Sequence, residues 1–119
     1  MLFIQQATQL KETADKLGAY YVLQNLCPGK TIAFPYFKRM GNLPIDEMNL
    51  SVRSINALKR YGAFTTGKVA ELIGNNELKA IRNLGTKSEK EIIRNFFILC
   101  YEHMTCEEQL CFWQTISEQ

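Results

Sequence analysis

The stretch Glu77-Leu78-Lys79-Ala80-Ile81-Arg82-Asn83-Leu84-Gly85-Thr86-Lys87-Ser88-Glu89-Lys90-Glu91-Ile92 reads as helix, tight turn, helix. Asn75 or Asn76 is placed to cap a short helix through Ile81, and Leu84-Gly85 makes the turn. Thr86, with Glu89 three residues later, forms a capping box that starts the next helix. That helix is the longest of its series, with Ile92, Ile93, Phe96, Phe97 and Cys100 as its buried stripe. No run nearby alternates with a period of two, so the class is all-α.

Reading outward gives more short helices. Pro44 opens the series, and Ser51 caps a helix running to Tyr61, which Gly62 ends. Thr65 or Thr66 caps a short helix through Leu72, closed by Gly74. Downstream, Thr105-Cys106-Glu107-Glu108 is a second capping box, starting a helix with Leu110, Phe112, Trp113 and Ile116. Upstream, residues 5–26 read as one helix. Phe3, Ala7, Leu10, Ala14, Leu17 and Tyr21 recur at spacings of four and three, and Gly18 weakens the helix by about 1 kcal/mol. Cys27-Pro28-Gly29 stops it, residues 31–37 (TIAFPYF) are extended or an edge strand, and Gly41-Asn42 marks a turn. The expected organisation is an N-terminal helix with an extended aromatic segment (1–42), a compact bundle (43–101), and an acidic C-terminal helix packed on the bundle (102–119).

Composition sets the outer limits. With 119 residues, 46% of them apolar, there is room for one globular domain or a small domain with a capping segment. The longest apolar run, residues 96–101, is far short of the roughly 20 residues a membrane helix needs. Residues 1–5 have no basic start of a signal peptide, so the expectation is a soluble cytoplasmic protein with no membrane contact. The net charge of +2 is unevenly spread. Residues 1–43 hold five basic and two acidic side chains and residues 44–98 nine and six, while 99–119 hold four Glu and no Lys or Arg. A basic body with an acidic tail points weakly to a polyanionic partner; an ordinary solvated surface would carry the same split.

Catalysis finds little support. His103 is the single histidine, Asp15 and Asp46 are the only aspartates, and no nucleophile motif or phosphate-cradling glycine loop is present. The protein reads as a non-enzyme without a cofactor. Cys100, His103, Cys106 and Cys111 follow C-x2-H-x2-C-x4-C, which could hold a tetrahedral zinc. The spacing matches no common zinc module, and Cys100 falls on the Phe96/Phe97 stripe as a small hydrophobe. The preferred reading is no metal, with zinc as the alternative.

Two helix faces are more informative. After Ser51, at 100° per residue, Val52, Ile55 and Leu58 group on one side and Arg53, Asn56 and Arg60 on the other. After Gly85, Ile92, Phe96 and Cys100 oppose Lys87, Glu91 and Arg94. Gly85 lets backbone approach a partner, and the helix start presents unpaired N–H groups at a positive dipole end. Lys87 and Ser88 complete an anion site suited to phosphate.

The blocks L-S-V-R-S-x-N-x-L from Leu50 and N-L-G-x-K-S-x-x-E-I from Asn83 resemble the C-terminal domain of the bacterial RNA polymerase alpha subunit, over residues 43–97. The resemblance implies a bundle of short helices with helix-hairpin-helix-like turns. It also implies binding in the minor groove of A·T-rich duplex DNA, and docking to RNA polymerase, sigma factor or an activator. On that basis Arg53 enters the groove and Asn56 bonds a backbone or base edge. Gly85, Lys87 and Ser88 grip phosphates, and Glu91 orients Lys87 or Arg53. Arg60 and Arg94 join the same basic faces from the periodicity alone. Ala57 stands where the family often has Cys, and Thr86 where a basic residue is common, which removes one phosphate contact. The family's large assembly domain is absent from this sequence, which implies a free-standing protein of this kind, or else a fragment.

The expected function is DNA binding in transcription or its regulation, weak for a single module. A homodimer through the N-terminal stripe would strengthen it, although docking of that helix on its own domain fits the stripe better. The alternative is a protein-interaction adaptor without DNA binding, using residues 33–37 or the Phe112/Trp113 helix.

Overall fold

Each helix of the computed structural model starts or stops at a residue whose side chain or backbone freedom accounts for it. The structure describes residues 2–26, 36–82 and 84–118, with residues 2–5 described by their backbone. The helices are α1 (Leu2–Leu17), α2 (Ala19–Leu26), α3 (Val52–Tyr61), α4 (Thr66–Gly74), α5 (Thr86–Glu102) and α6 (Cys106–Ser117). Single 3-10 turns occupy Lys38–Met40, Ile45–Met48 and Leu78–Ala80. Among the described residues there is no strand, and the isolated β-bridge between Pro44 and Thr65 forms no ladder. The all-α class stands.

The protein divides into two units, Met1–Pro35 with Tyr101–Gln119, and Tyr36–Cys100. In the first, the expected single N-terminal helix is two. Gly18 takes φ +97°, a left-handed conformation that other residues rarely adopt, and ends α1 by donating its N–H to the Ala14 carbonyl at 2.8 Å. The change of direction breaks the expected stripe. Ala7 and Ala14 are buried, but Leu17 and Tyr21 are 57% and 50% exposed, and Ala19, Val22 and Leu23 are buried instead. A straight seam through position 21 therefore does not exist, and the side chain of Phe3 lies outside the described residues.

α6 packs on α1 and α2 packs on α1. Phe112 and Trp113, named above as a docking surface, are core residues of this unit. The Trp113 indole Nε1 donates to Tyr101 Oη at 2.7 Å, and Tyr101, Phe112 and Trp113 meet edge to face. The Thr105–Glu108 capping box forms as expected, with Thr105 N–H donating to Glu108 Oε1 at 2.8 Å and Glu108 N–H to Thr105 Oγ1 at 3.1 Å.

The second unit begins at Tyr36, earlier than the expected boundary. The ring of Tyr36 lies 5.8 Å from that of Phe96, and the Thr66 hydroxyl donates to the Met40 carbonyl. Its core includes Ile45, Leu58, Leu72, Ile92, Phe96 and Phe97. Each of these residues adds roughly 1.5–3 kcal/mol as its apolar surface leaves water. On α3 the buried face is Ser54, Ala57 and Leu58, while Val52, expected inside, is 76% exposed. The face is rotated because Ser54 is buried with its hydroxyl satisfied, which a count of apolar residues cannot register.

Two caps differ from expectation. Asn75 and Asn76 finish α4, donating their N–H groups to the Glu71 and Ile73 carbonyls, and Asn76 sits at φ +56°. After them comes only the 3-10 turn Leu78–Ala80, which no side group caps. Thr86 is already helical, and the Glu89 N–H donates to the Gly85 carbonyl at 2.9 Å, so Gly85 holds the cap position in place of Thr86. The Cys27-Pro28-Gly29 stop, Asn83 and the extended segment up to Pro35 lie outside the described residues.

Candidate nucleic-acid interface

Ser51 is extended, and its Oγ accepts the Ser54 N–H at 3.3 Å, capping α3. Gly62, at φ +91°, closes the helix with its N–H on the Lys59 carbonyl at 3.0 Å. Between them Arg53, Asn56 and Arg60 all face solvent. At 100° per residue they point away from the buried Leu58 and Ser54, with buried Ala57 at the border beside Arg53, and exposed Val52 shares their side. Lys59 is engaged by Asp46 at 3.3 Å. Among the described residues Arg53, Arg60 and Lys87 have no ion-pair partner, so their charges remain available.

On α5, Gly85, Lys87 and Arg94 are exposed, and Ser88 and Glu91 are half-buried. A Cβ built on Gly85 would meet nothing within 4 Å, so the glycine opens onto solvent. Among the described residues no acceptor faces the amides of Thr86, Lys87 and Ser88. A helix start of this kind leaves N–H groups and a positive dipole end directed outward.

Glu91 joins the two helices. Its Oε1 accepts from Ser51 N at 3.3 Å, Ser51 Oγ at 3.0 Å and Ser54 Oγ at 2.5 Å. The Ser54 hydroxyl is the largest influence holding this carboxyl below the usual range; desolvation opposes it, and Ser51 and the charge of Arg94 add to the lowering. The expectation that Glu91 orients Lys87 or Arg53 meets a different geometry: its hydrogen bonds go to the cap of α3. Helical spacing places Lys87 and Ser88 one turn before Glu91 on the same face. Asn95, one turn after it, donates Nδ2–H to the carbonyls of Met48 at 3.0 Å and Asn49 at 3.2 Å. Ser54 and Asn95 were not among the sequence candidates. Ser54 carried a faint signal as the second hydroxyl of Ser51-x-x-Ser54, and Asn95 none, because both its acceptors are backbone atoms 46 and 47 residues away.

Among the described residues no three His, Cys, Asp or Glu side chains converge on a metal position. Cys100 is buried, and its thiol is pushed up to about 12 by desolvation; Cys106 and Cys111 are exposed and free.

The family profile for the C-terminal domain of the alpha subunit of bacterial RNA polymerase matches residues 38–96. Residues 38–96 form an alpha-C-terminal-domain-like module. Similar proteins are DNA-directed RNA polymerase alpha subunits. That of Desulforudis audaxviator is 52% identical over 54 residues, covering 44% of this chain and 16% of the relative. That of Cutibacterium acnes is 48% identical over 59 residues, 48% of this chain and 16% of the relative. That of Dehalococcoides mccartyi strain 195 is 30% identical over 97 residues, 75% of this chain and 29% of the relative. The chain thus spans less than a third of the length of these relatives. No solved structure matches it. The module's bounds agree with those of the second folded unit to within a few residues, and all eight candidate contact residues fall inside it. No helix among the described residues is long and apolar enough to cross a membrane.

Proposed function

We propose that the module binds duplex DNA in transcription or its regulation, gripping the minor groove and backbone of A·T-rich sequence through α3 and the turn into α5. The observation that carries this reading is the clasp of Glu91 on Ser51 and Ser54. It ties the start of α3, where Arg53 stands, to the first turns of α5, where Lys87 and Ser88 stand. Arg53 enters the groove, whose narrow A·T tracts have enhanced negative potential. Asn56 bonds a backbone or base edge. Gly85, Lys87 and Ser88 take phosphates at the helix start, Arg60 and Arg94 extend the positive surface, and Glu91 holds the two helices together.

A single module with a few phosphate contacts binds with Kd on the order of micromolar at physiological salt. Useful affinity then comes from a second copy of the protein or from RNA polymerase, sigma factor or an activator, in the cytoplasm. The module performs no chemistry of its own and uses no cofactor.

The test is fluorescence anisotropy of a labelled A·T-rich duplex, titrated at several salt concentrations with wild type and Arg53→Ala. Binding that falls with salt is expected, with Arg53→Ala weaker by about tenfold or more. No salt-dependent binding by wild type, or equal binding by Arg53→Ala, defeats the proposal. Equal affinity for a G·C-rich duplex removes the A·T preference alone.

A further inference from the structure

We infer that Asn95 is a positioning residue of this DNA-binding face, holding Arg94 and the entry to α3 in one arrangement. The inference rests on the DNA-binding reading and assigns a role to a residue that neither helix periodicity nor the family blocks single out.

The Asn95 amide is used at both ends. Nδ2 donates to the carbonyls of Met48 at 3.0 Å and Asn49 at 3.2 Å, and Oδ1 accepts from Arg94 Nε at 3.1 Å. Those two carbonyls close the 3-10 turn Ile45–Met48, whose cap residue Asn49 takes the left-handed conformation at φ +54°. Carbonyls at the end of a helical turn lack an intrahelical partner, and Asn95 supplies donors to both. Two residues further on, Ser51 caps α3 and meets Glu91. α5 therefore grips residues 48–54 at two points one helical turn apart, and that segment contains Arg53.

The second half of the role concerns Arg94. Successive side chains on a helix point about 100° apart, so Arg94 reaches Asn95 only by folding across the helix surface. With Nε occupied, the two terminal nitrogens of the exposed guanidinium remain for a partner, a fork suited to phosphate oxygens. Without Asn95, a flexible side chain would have to be ordered at the moment of binding.

The experiment uses the full-length protein as wild type, Asn95→Ala, Arg94→Ala and the double variant. Affinity for the A·T-rich duplex is measured across a salt series, together with thermal unfolding. Asn95→Ala is expected to bind about three- to tenfold more weakly, with a salt slope shallower by about one. The double variant is expected to lose less affinity than the two single losses combined, because both changes remove the Arg94 contact and only the hold on the entry to α3 is lost separately. Asn95→Gln keeps both kinds of hydrogen bond one methylene further out, so recovery of the slope is expected; it also serves if Asn95→Ala does not fold. A lower melting temperature with wild-type affinity and slope makes Asn95 merely structural and overturns the inference, as do losses that add in the double variant. If wild type itself fails to bind with salt dependence, the DNA-binding reading fails and the role of Asn95 falls with it.

Discussion

The starts of α4 and α5 are built from similar residues but are used differently. At α4 the sequence is Thr65-Thr66-Gly67-Lys68; at α5 it is Gly85-Thr86-Lys87-Ser88. Each reads as a helix start after a turn, with a glycine, hydroxyls and a lysine. Yet every early amide of α4 is used within the protein. Thr66 N–H donates to the Leu43 carbonyl at 2.8 Å, Gly67 N–H to the Gly41 carbonyl at 3.1 Å, and Lys68 N–H to Thr65 Oγ1 at 3.3 Å. The corresponding amides of α5 have no acceptor among the described residues. A helix start becomes an anion site only where tertiary packing leaves its N–H groups unpaired. The α4 start is a structural joint, whereas among the described residues the α5 start has no acceptor for its first amides.

Substitutions at equivalent places should therefore separate stability from binding. The largest effect is expected at Gly67, where an added Cβ would lie 3.1 Å from the Gly41 carbonyl oxygen and 3.3 Å from Gly41 Cα. Backbone cannot yield as the tip of a flexible residue can, so Gly67→Val should cost about 3 kcal/mol, read by chemical denaturation. Gly85→Ala, with open space around its Cβ and no positive φ to relieve, should leave the denaturation midpoint nearly unchanged. Equal losses at the two glycines would erase the contrast.

Next comes Thr66→Val. The hydroxyl of fully buried Thr66 donates to the Met40 carbonyl, and its removal leaves that acceptor only the long Leu43 N–H bond at 3.4 Å, at a cost of about 1 kcal/mol. Lys87→Ala should do the reverse. Its stability should stay within about 0.5 kcal/mol of wild type, because the side chain is exposed and unpaired, while the salt slope for duplex binding falls by about one. A Lys87 variant that melts early and binds normally would move the α5 start into the structural class.

The smallest expected effect belongs to Glu91 and is read through pH. Its carboxyl is held below its ordinary value of 4.5 in the fold, first by the Ser54 hydroxyl. A depressed folded pKa means that the charged clasp stabilises the protein above about pH 4.5 and is lost as pH falls through the folded value. Wild type should exceed Glu91→Gln in melting temperature at neutral pH, and the gap should close in acid. A gap that widens in acid would contradict the sign. In DNA binding, Glu91→Ala removes a negative charge yet should weaken affinity, whereas a merely solvated acid beside a polyanion would strengthen it on removal.

Counted by folded unit, the charge pattern is sharper than by sequence segment. The unit Tyr36–Cys100 carries eleven Lys and Arg against six Asp and Glu, while the other carries three against six. The division by segment split one basic unit and left the acid in a tail. Regrouping the tail with the N-terminal helices required knowing that α6 packs on α1.

Much of the architecture was legible because it depends on residues close in sequence. Ser51 as a cap, Gly62 as the stop of α3, and the Thr105–Glu108 box each involve atoms three or four residues apart, and the structure contains all of them; of the two candidates for the α4 cap, Thr65 or Thr66, it is Thr65. The outward faces of Arg53, Asn56 and Arg60 follow from the 100° step alone. Reading failed where a distant partner decided the outcome. Val52 lost its place in the core to Ser54, whose burial depends on a carboxylate 37 residues away. At Asn75 and Asn76 the competing contacts were local: their N–H groups close α4 on the Glu71 and Ile73 carbonyls, four and three residues earlier, in place of starting another helix.

Local chemistry thus determined the all-α class, most helix limits and the residue types exposed on α3 and at the start of α5, since each depends on contacts within about one helical turn. Packing decided which helix start is used within the fold, which face of α3 is buried, and that Glu91 and Asn95 tie α5 to the cap of α3 and the turn before it. Those outcomes depend on hydrogen bonds spanning 26 to 47 residues, made only when the polypeptide folds back on itself.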